Sequence, residues 1–165
     1  DPDAPRSTPL TAAAPVREAK VDLPAPTEGQ DIVADYEHTA LTLRRHPLAL
    51  LRDRFNAMRL VTAADVFAAR PRQRVRTTGI VTCRQRPGTA SGVTFVTLED
   101  ETGVVNIVVW RSLGERQRRE LTGATLLTVY GTVEREGGVI HVIAARLRDQ
   151  SALLGRLAAK SRDFR

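Results

Sequence analysis

The chain has 165 residues, which is enough for one domain with short appendages. A net charge of +6, with the positive excess on residues 73–165, favours a polyanionic partner, although solvated surface arginine would give the same balance. The single cysteine, Cys83, excludes an internal disulfide and a cysteine zinc site, and no apolar run approaches the roughly 18 residues of a membrane span. We therefore expect a protein of the reducing cytoplasm with no signal peptide and no membrane contact.

Residues 1–30 are predicted to form a Pro/Ala-rich linker. Six prolines interrupt this stretch, three consecutive alanines lie among them, and no hydrophobic period is present. Such a composition is typical of an extended, poorly ordered connection. Because the chain also begins at Asp1 without a methionine, we expect it to be a fragment or a processed product that a larger segment precedes.

Residues 31–71 are predicted to form a small helical unit. Pro47 suits the first turn of a helix. Four apolar residues follow at helical spacing and predict one buried stripe, namely Leu48, Leu51, Phe55 and Met58.

A second short helix is predicted to begin at Thr62. Asp65 lies three residues further on and takes the acidic place of a capping box, while Pro71 ends the helix. His38 and His46 have no carboxylate or cysteine at ligand spacing. A cap or turn contact is therefore favoured over a metal site at these histidines.

Five strand patterns and one helix follow the helical unit. The strands are predicted at 74–86, 93–100, 104–110, 125–134 and 139–147, and the helix at 112–121. Gly79 interrupts the first strand, where a sharply bent sheet needs a residue without a side chain. A mainly β chain with helical flanks and this element order predicts the five-stranded Greek-key barrel called the OB-fold, which we assign to residues 72–148. Another small β-barrel or sandwich is the alternative. Residues 149–165 are predicted to be a C-terminal helical tail.

Alternation along the strands separates a core face from an open face. Six aliphatic residues are assigned to the core: Val96, Leu98, Ile107, Val109, Val129 and Val133. The open face of the middle strands then carries Phe95, Thr97, Asn106, Val108 and Trp110. An OB-fold binds extended single strands on this face, between the loops that join strands 1 and 2 and strands 4 and 5.

The candidate nucleic-acid-binding residues combine rings, small polar groups and guanidiniums: Arg84, Arg86, Phe95, Thr97, Asn106, Trp110 and Arg135. Phe95 or Trp110 could stack on a base, and the arginines beside the loops could hold phosphates and make binding sensitive to salt. Two other interpretations stay open. The rings could plug the barrel ends or pack on the C-terminal helix, and Arg84 and Arg86 could be ordinary solvated charges.

Catalytic constellations are missing from the sequence. The loop at 85–92, QRPGTASG, lacks the GK[ST] ending of a P-loop. Asp100 and Glu101 are adjacent in a turn, so they point apart and cannot share a proton or clamp two metal ions. Ser91 and Ser112 have no positioned His–Asp pair. The sequence therefore predicts a binding module with no catalytic, metal or cofactor site of its own.

The resemblance of this chain to a known family rests on several stretches. The sequence GIVTCRQRPGTASGVTFVTLEDETG at 79–103, followed by VVNIVVW and the ERQRREL helix, resembles the C-terminal region of bacterial C-family error-prone DNA polymerases, which are paralogues of the DNA polymerase III alpha subunit. Asp35-Tyr36 and the HPL segment at 46–48 are similar to the element before the OB domain of that family. The closing SRDF at 161–164 is also similar, so the match covers nearly all of the chain outside the linker.

This resemblance implies a part of a translesion machine that acts in damage-induced, SOS-type mutagenesis. In that family the polymerase core depends on metal ions, so Mg²⁺ and the catalytic aspartates are expected upstream, and none of those aspartates transfers to a residue here. The implied partners are single-stranded template DNA, a catalytically inactive Y-family protein that holds the sliding clamp, and a RecA-like accessory protein.

Two functions remain open for the region itself. The barrel could guide single-stranded template, or the helical unit and the terminal helix at 153–161 could form a docking platform for the Y-family partner. A tRNA anticodon-binding module shares the FxTLED…G pattern. That third interpretation predicts a synthetase catalytic domain after the barrel, whereas this chain ends soon after it.

Overall fold

The structure is a computed structural model that describes residues 46–89 and 91–159. The predicted linker at 1–30, the part of the helical unit before His46, and residues 160–165 lie outside the described residues. His38, Ala90 and the last two residues of the predicted 153–161 helix fall there as well.

The described part of the helical unit begins with a 3-10 helix at Pro47–Leu51, with the proline in its first turn as predicted. The Nδ1 atom of His46 caps this turn by accepting a hydrogen bond from the backbone N–H of Leu48 at 3.2 Å. Helix α1 follows at Arg52–Ala57 and helix α2 at Ala63–Ala68. The predicted capping box at the start of α2 is confirmed, because Thr62 and Asp65 exchange both of its hydrogen bonds.

Five strands close a barrel in the order β1-β2-β3-β5-β4. They span Arg74–Gln85 (β1), Thr94–Asp100 (β2), Gly103–Val109 (β3), Leu126–Glu136 (β4) and Val139–Asp149 (β5). Neighbouring strands are antiparallel except β3 and β5, which run parallel with Asn106 opposite His141. The predicted OB-fold is therefore confirmed, and β4 lies on the side of the barrel away from β2 and β3.

Glycines allow the close crossing of β1 over β2 and the tight turn between β4 and β5. A Cβ at Gly79 would lie 2.8 Å from the Cβ of Leu98 and 3.0 Å from the backbone N of Glu99, so β1 crosses β2 too closely there for a side chain. The β4–β5 turn places Gly137 at φ 57° and Gly138 at φ 80°. These left-handed angles suit a two-glycine hairpin turn.

The predicted helix between β3 and β4 is confirmed, but it is divided into two short helices. Helix α3 spans Arg111–Arg116 and helix α4 spans Arg118–Gly123, and Gln117 between them leaves helical geometry at φ −116°, ψ 42°. The Gln117 amide donates to the carbonyl of Leu147 at 2.9 Å and accepts from its N–H at 2.7 Å. This pair of bonds fastens the helix break to β5.

The barrel interior is filled by the inward aliphatic side chains. All six predicted core residues are at most 2% exposed, which confirms their assignment: Val96, Leu98, Ile107, Val109, Val129 and Val133. Leu113 and Leu121 from α3 and α4, with Val66 from α2, join the same cluster. Both ends of the strands are thus covered by helices.

A second apolar cluster lies outside the barrel. Leu48, Leu51 and Phe55 are buried in it, and Met58 packs on it, so the predicted stripe of the helical unit is confirmed. Its other buried members are Leu60, which follows α1, Ile80 and Leu126 from the barrel surface, and Leu153 from helix α5 at Ala152–Ala159. The helical unit and α5 are therefore packed together on one flank of the barrel.

Candidate nucleic-acid interface

The outer surface of β2 and β3, extended by the last residues of β1 and the first half of β5, is built in two cross-strand rows. One row pairs Gln85 with Phe95, Phe95 with Val108, and Val108 with Ile143. The other row pairs Cys83 with Thr97, Thr97 with Asn106, and Asn106 with His141. Directly opposed residues share a face of the sheet, so these rows define what we call the β2–β3 face.

The two rings that sequence placed on this face are on the surface. Phe95 is 38% exposed and Trp110 is 54% exposed. Trp110 comes two residues after Val108, on the same side of the chain as Phe95, at the point where β3 ends and α3 begins. Neither ring is sealed in a barrel end, so both are available to a planar ligand.

Val108 lies on the predicted open face but is largely covered there. It occupies the outward register between Phe95 and Ile143, but it is only 8% exposed. The predicted face is therefore correct, but the side chain lies between those of Phe95 and Ile143 and offers little surface to a ligand.

The second row carries the polar groups of the face. Thr97 is half-buried and Asn106 is exposed, and in the described residues no hydrogen bond uses either side chain. His141, which sequence reasoning did not place here, continues the row, and its buried Nδ1 atom has no hydrogen-bond partner within residues 46–89 and 91–159. A buried polar atom usually has a partner, so this nitrogen favours a ligand or water on the face.

Arg84 does not lie free at the mouth of the loop, as the sequence suggested. Its Nε atom donates to the carbonyl of Leu121 at 2.6 Å, and its Nη2 atom donates to the carbonyl of Ala124. These carbonyls belong to the last turn of α4, where backbone oxygens lack helical partners. Partial burial lowers the pKa of the Arg84 guanidinium. The side chain fastens the end of α4 to β1.

Arg135 has a similar structural contact. It lies on β4 near the hairpin, and its Nη2 atom donates to the carbonyls of Phe67 and Ala69 at the end of α2. Its guanidinium thus joins the helical unit to the barrel. A phosphate bound here could use only the N–H groups of the guanidinium that do not already donate to these two carbonyls.

Arg86 is exposed and lines a cleft that we call the arginine cleft. This depression of about 360 Å³ lies between the β1–β2 loop and α3–α4, and Arg84, Arg86, Arg111, Arg118 and Glu115 are the charged residues that line it. Glu115 is paired with Arg111 at 2.7 Å, and no carboxylate within residues 46–89 and 91–159 pairs with Arg86 or Arg118. The cleft therefore carries a net positive charge that could bind phosphate.

The loop beside the cleft approaches α3 closely. Gly92 has a φ of 84°, and a Cβ there would lie 2.9 Å from the Cδ atom of Arg111. Arg111 follows Trp110 directly, and Arg86 follows Gln85 directly, so the cleft adjoins the β2–β3 face at both points. Sequence reasoning missed Arg118 because it was assigned only to the helix at 112–121, and it missed Arg111 because that residue lies between this helix and the third predicted strand.

The acidic turn between β2 and β3 is structural. The two carboxylate oxygens of Asp100 accept hydrogen bonds from Ala63, Thr102 and Gly103, and Glu101 is bound by Arg52. Within residues 46–89 and 91–159, no group of three His, Cys, Asp or Glu side chains could hold a metal ion. In the same residues no helix has the length and apolarity needed to cross a membrane.

Comparison with known proteins agrees with this fold. Residues 75–149 match the family described as the OB-fold nucleic acid binding domain. These residues contain β2 to β5 and all but the first residue of β1.

The resemblance read from the sequence is confirmed by curated relatives. The chain is 57% identical over 150 residues to an error-prone DNA polymerase of Dechloromonas aromatica (strain RCB), which covers 91% of this chain and 15% of the relative. It is also 57% identical over 155 residues to an error-prone DNA polymerase of Azoarcus sp. (strain BH72), which covers 94% of this chain and 15% of that protein. The chain thus spans about one seventh of the length of the relatives it matches.

Among solved structures, asparaginyl-tRNA synthetase from Pyrococcus horikoshii complexed with asparaginyl-adenylate is similar with a TM-score of 0.48 and 23% identity. The likeness covers 55% of this chain and 22% of the synthetase.

Proposed function

We propose, from the premise that this chain is a homologue of error-prone DNA polymerases built around an OB-fold barrel, that it is the C-terminal nucleic-acid-binding module of such a polymerase. In this proposal its β2–β3 face captures single-stranded template DNA. The module brings no catalytic residue of its own. Its task is to hold template for a catalytic core elsewhere in the polymerase.

One observation carries the proposal. Two exposed rings, Phe95 and Trp110, lie beside a cleft in which Arg86 and Arg118 have no carboxylate partner among the described residues. Rings that stack on bases and cations that follow the phosphates are the two parts of a single-strand site. Asn106 and His141 add polar groups to the β2–β3 face, in the cross-strand row on the side of Phe95 away from the cleft.

The rest of the proposal concerns the polymerase as a whole. We propose that the parent protein synthesises DNA past lesions during damage-induced mutagenesis in the cytoplasm, with Mg²⁺ held by aspartates of an upstream core. The homology to error-prone DNA polymerases supports this role. Single-stranded template would reach that core after passing over the β2–β3 face.

The experiment that tests the proposed site compares two double variants of the 165-residue chain. Phe95→Ala/Trp110→Ala removes both rings, and Val104→Ala/Val139→Ala removes two exposed apolar side chains from the far end of the same outer surface, beyond the Asn106–His141 pair and away from the cleft. Base stacking is worth about 1–3 kcal/mol per base. We expect fluorescence anisotropy with a labelled oligonucleotide of about 10 nucleotides to show at least a tenfold loss, about 1.4 kcal/mol, for the first variant only. Equal affinity of the two variants would exclude the β2–β3 face as the site.

A second candidate function is protein docking, which a separate apolar patch favours. Phe67 is 46% exposed, Val104 43% and Val139 48%. Val104 and Val139 lie at the starts of the parallel strands β3 and β5, as the second and the first residue of each, and both come two residues before the Asn106–His141 pair. Helix α2 packs against β3. A partner such as the inactive Y-family protein of the mutagenic complex, together with its RecA-like accessory protein, could bury this patch.

The docking function has its own test. Capture of the purified Y-family partner by the chain is compared with capture by Phe67→Ser/Val139→Ser and by a form lacking residues 150–165. Retained capture by both altered forms would exclude the patch and the terminal helix as contacts. Helix α5 is already engaged in the fold through the buried Leu153, so we expect the patch variant to show the larger effect.

A further inference from the structure

A second basic surface lies on the opposite side of the barrel from the β2–β3 face. It is centred on Tyr130 of β4, which is opposite Arg76 of β1 on one side and Arg146 of β5 on the other. The guanidinium carbon of Arg76 is 5.7 Å from the centre of the Tyr130 ring, and that of Arg146 is 5.6 Å from it. Both distances are typical of cation–π contacts.

Two more arginines extend this cluster along the strands. Arg74 lies opposite Thr132 on the same side of the sheet, and Arg148 lies opposite Thr128. All four arginine side chains are exposed. We call Arg74, Arg76, Tyr130, Arg146 and Arg148 the β4 arginine face.

The positive charge of the β4 arginine face is not compensated within the described residues. None of its arginines forms an ion pair with a carboxylate in residues 46–89 and 91–159. Glu134, the next outward residue after Thr132 on β4, pairs with none of them. The ring of Tyr130 contacts one guanidinium from each neighbouring strand, and a cluster of like charges gains most from a ligand that carries repeated negative charge.

A shallow groove runs through the cluster. Arg74, Arg76, Tyr130 and Thr132 line it together with three small or apolar residues, Val75, Gly131 and Ala145. Arg74 and Arg76 are the charged residues that line the groove, and no carboxylate of the described residues lines it. Its shape and charge suit an extended phosphate backbone.

We propose that the β4 arginine face binds the phosphate backbone of single-stranded DNA as a second contact surface, so that a strand leaving the β2–β3 face continues around the barrel. This inference rests on the proposed function, because it concerns the same nucleic acid. Base readout is not required here. Both faces of the Tyr130 ring are flanked by guanidiniums, so the arginines and not the ring meet the strand.

The length of the oligonucleotide separates the two surfaces. An OB-fold engages about 4–16 nucleotides, so an oligonucleotide of about 10 nucleotides fits the β2–β3 face alone and one of about 30 can reach both. The test variant is Arg76→Gln/Arg146→Gln. Its matched control is Arg54→Gln/Arg119→Gln, which removes the same charge from two exposed arginines whose side chains form no hydrogen bond or ion pair among the described residues.

With the 165-residue chain and labelled oligo-dT, we expect the test variant to bind the long oligonucleotide about fivefold more weakly than the control and the short one equally well. Single strands release about 0.7 counterion per phosphate contact, so the slope of log affinity against log salt should become about 1.4 shallower for the long oligonucleotide only. Tyr130→Phe should bind like the wild type. Tyr130→Leu, which keeps both charges but removes the ring that orients them, should lose affinity with little change of slope.

Equal binding of the long oligonucleotide by the test variant and the control would overturn the inference and would point to an acidic protein as the occupant. If Phe95→Ala/Trp110→Ala still loses affinity in that case, the proposed function stands. The reverse result, a loss only for Arg76→Gln/Arg146→Gln, would overturn the proposed β2–β3 site and support the β4 arginine face. Absence of binding by the wild type at either length would overturn both.

Discussion

The Nη2 atom of Arg52 lies 2.8 Å from the Oε2 atom of Glu101, and the two residues are 49 positions apart in the sequence. The first comes from α1 and the second from the β2–β3 turn. The same guanidinium lies 3.5 Å from Asp100, and its carbon is 5.4 Å from the centre of the Phe55 ring. The acidic turn is therefore the anchor that fixes the helical unit to the barrel.

Removing one partner of this ion pair should destabilise the protein. Each side chain is only 16% exposed, so Arg52→Met leaves two carboxylates without their cation. We expect a loss of about 1–3 kcal/mol in the free energy of unfolding, measured by urea denaturation. The double variant Arg52→Met/Glu101→Gln should lose less than the two single variants added together. Strict additivity would show that the two residues do not interact.

The stability contributed by Glu101 should depend on pH. Burial alone would raise the pKa of its carboxyl, but the hydrogen bond and charge of Arg52 outweigh burial and hold the pKa below its ordinary value of 4.5. A lowered folded-state pKa means that this contribution is complete above pH 4.5 and is lost as the pH falls through the folded-state value. The difference in stability between wild type and Glu101→Gln should therefore shrink below pH 4.5. A constant difference over that range would contradict the ion pair.

Arg84 should matter for stability more than for DNA binding. Its guanidinium satisfies two carbonyls at the end of α4, and leaving buried acceptors without a donor costs about 1–3 kcal/mol. We expect Arg84→Gln to lower the midpoint of thermal unfolding, whereas Arg86→Gln leaves it unchanged and weakens oligonucleotide binding. The opposite pattern would make Arg84 a phosphate contact, as the sequence first suggested.

The close crossing of β1 over β2 should be intolerant of a methyl group. In Gly79→Ala the new Cβ would lie 2.8 Å from Leu98 and 3.0 Å from backbone atoms of Glu99, and overpacking of this kind costs about 1–3 kcal/mol. Gly155→Ala is the matched control, because a Cβ there meets nothing within 4 Å. In the helix α5 the alanine should stabilise by up to about 1 kcal/mol. Equal stability of the two variants, measured by urea denaturation, would contradict the close approach of β1 to β2 at Gly79.

The sequence predicted the barrel because its signals are local. Alternation assigned Val96 and Ile107 to the core correctly, since each strand shows its own period of two. The capping box at Thr62 was equally readable, because it depends on residues three positions apart. These signals fix the order and nature of the elements.

The functional surfaces could be predicted only in part, because they depend on distant partners. The carbonyl that binds Arg84 belongs to Leu121, 37 residues away, and the bonds that break the helix at Gln117 come from Leu147, 30 residues away. No local pattern reveals either contact. The β4 arginine face likewise combines three strands, so its arginines look like scattered surface charges in the sequence.

The most direct test of single-strand capture is a salt titration of a labelled oligonucleotide of about 10 nucleotides, with Arg86→Gln/Arg118→Gln compared with Arg54→Gln/Arg119→Gln. We predict that log affinity of the wild type falls linearly with log salt, and that loss of the two cleft arginines makes the slope about 1.4 shallower while the control keeps the wild-type slope. A wild type whose affinity does not change with salt, or a cleft variant whose slope equals that of the control, would contradict capture of DNA by the β2–β3 face and its arginine cleft.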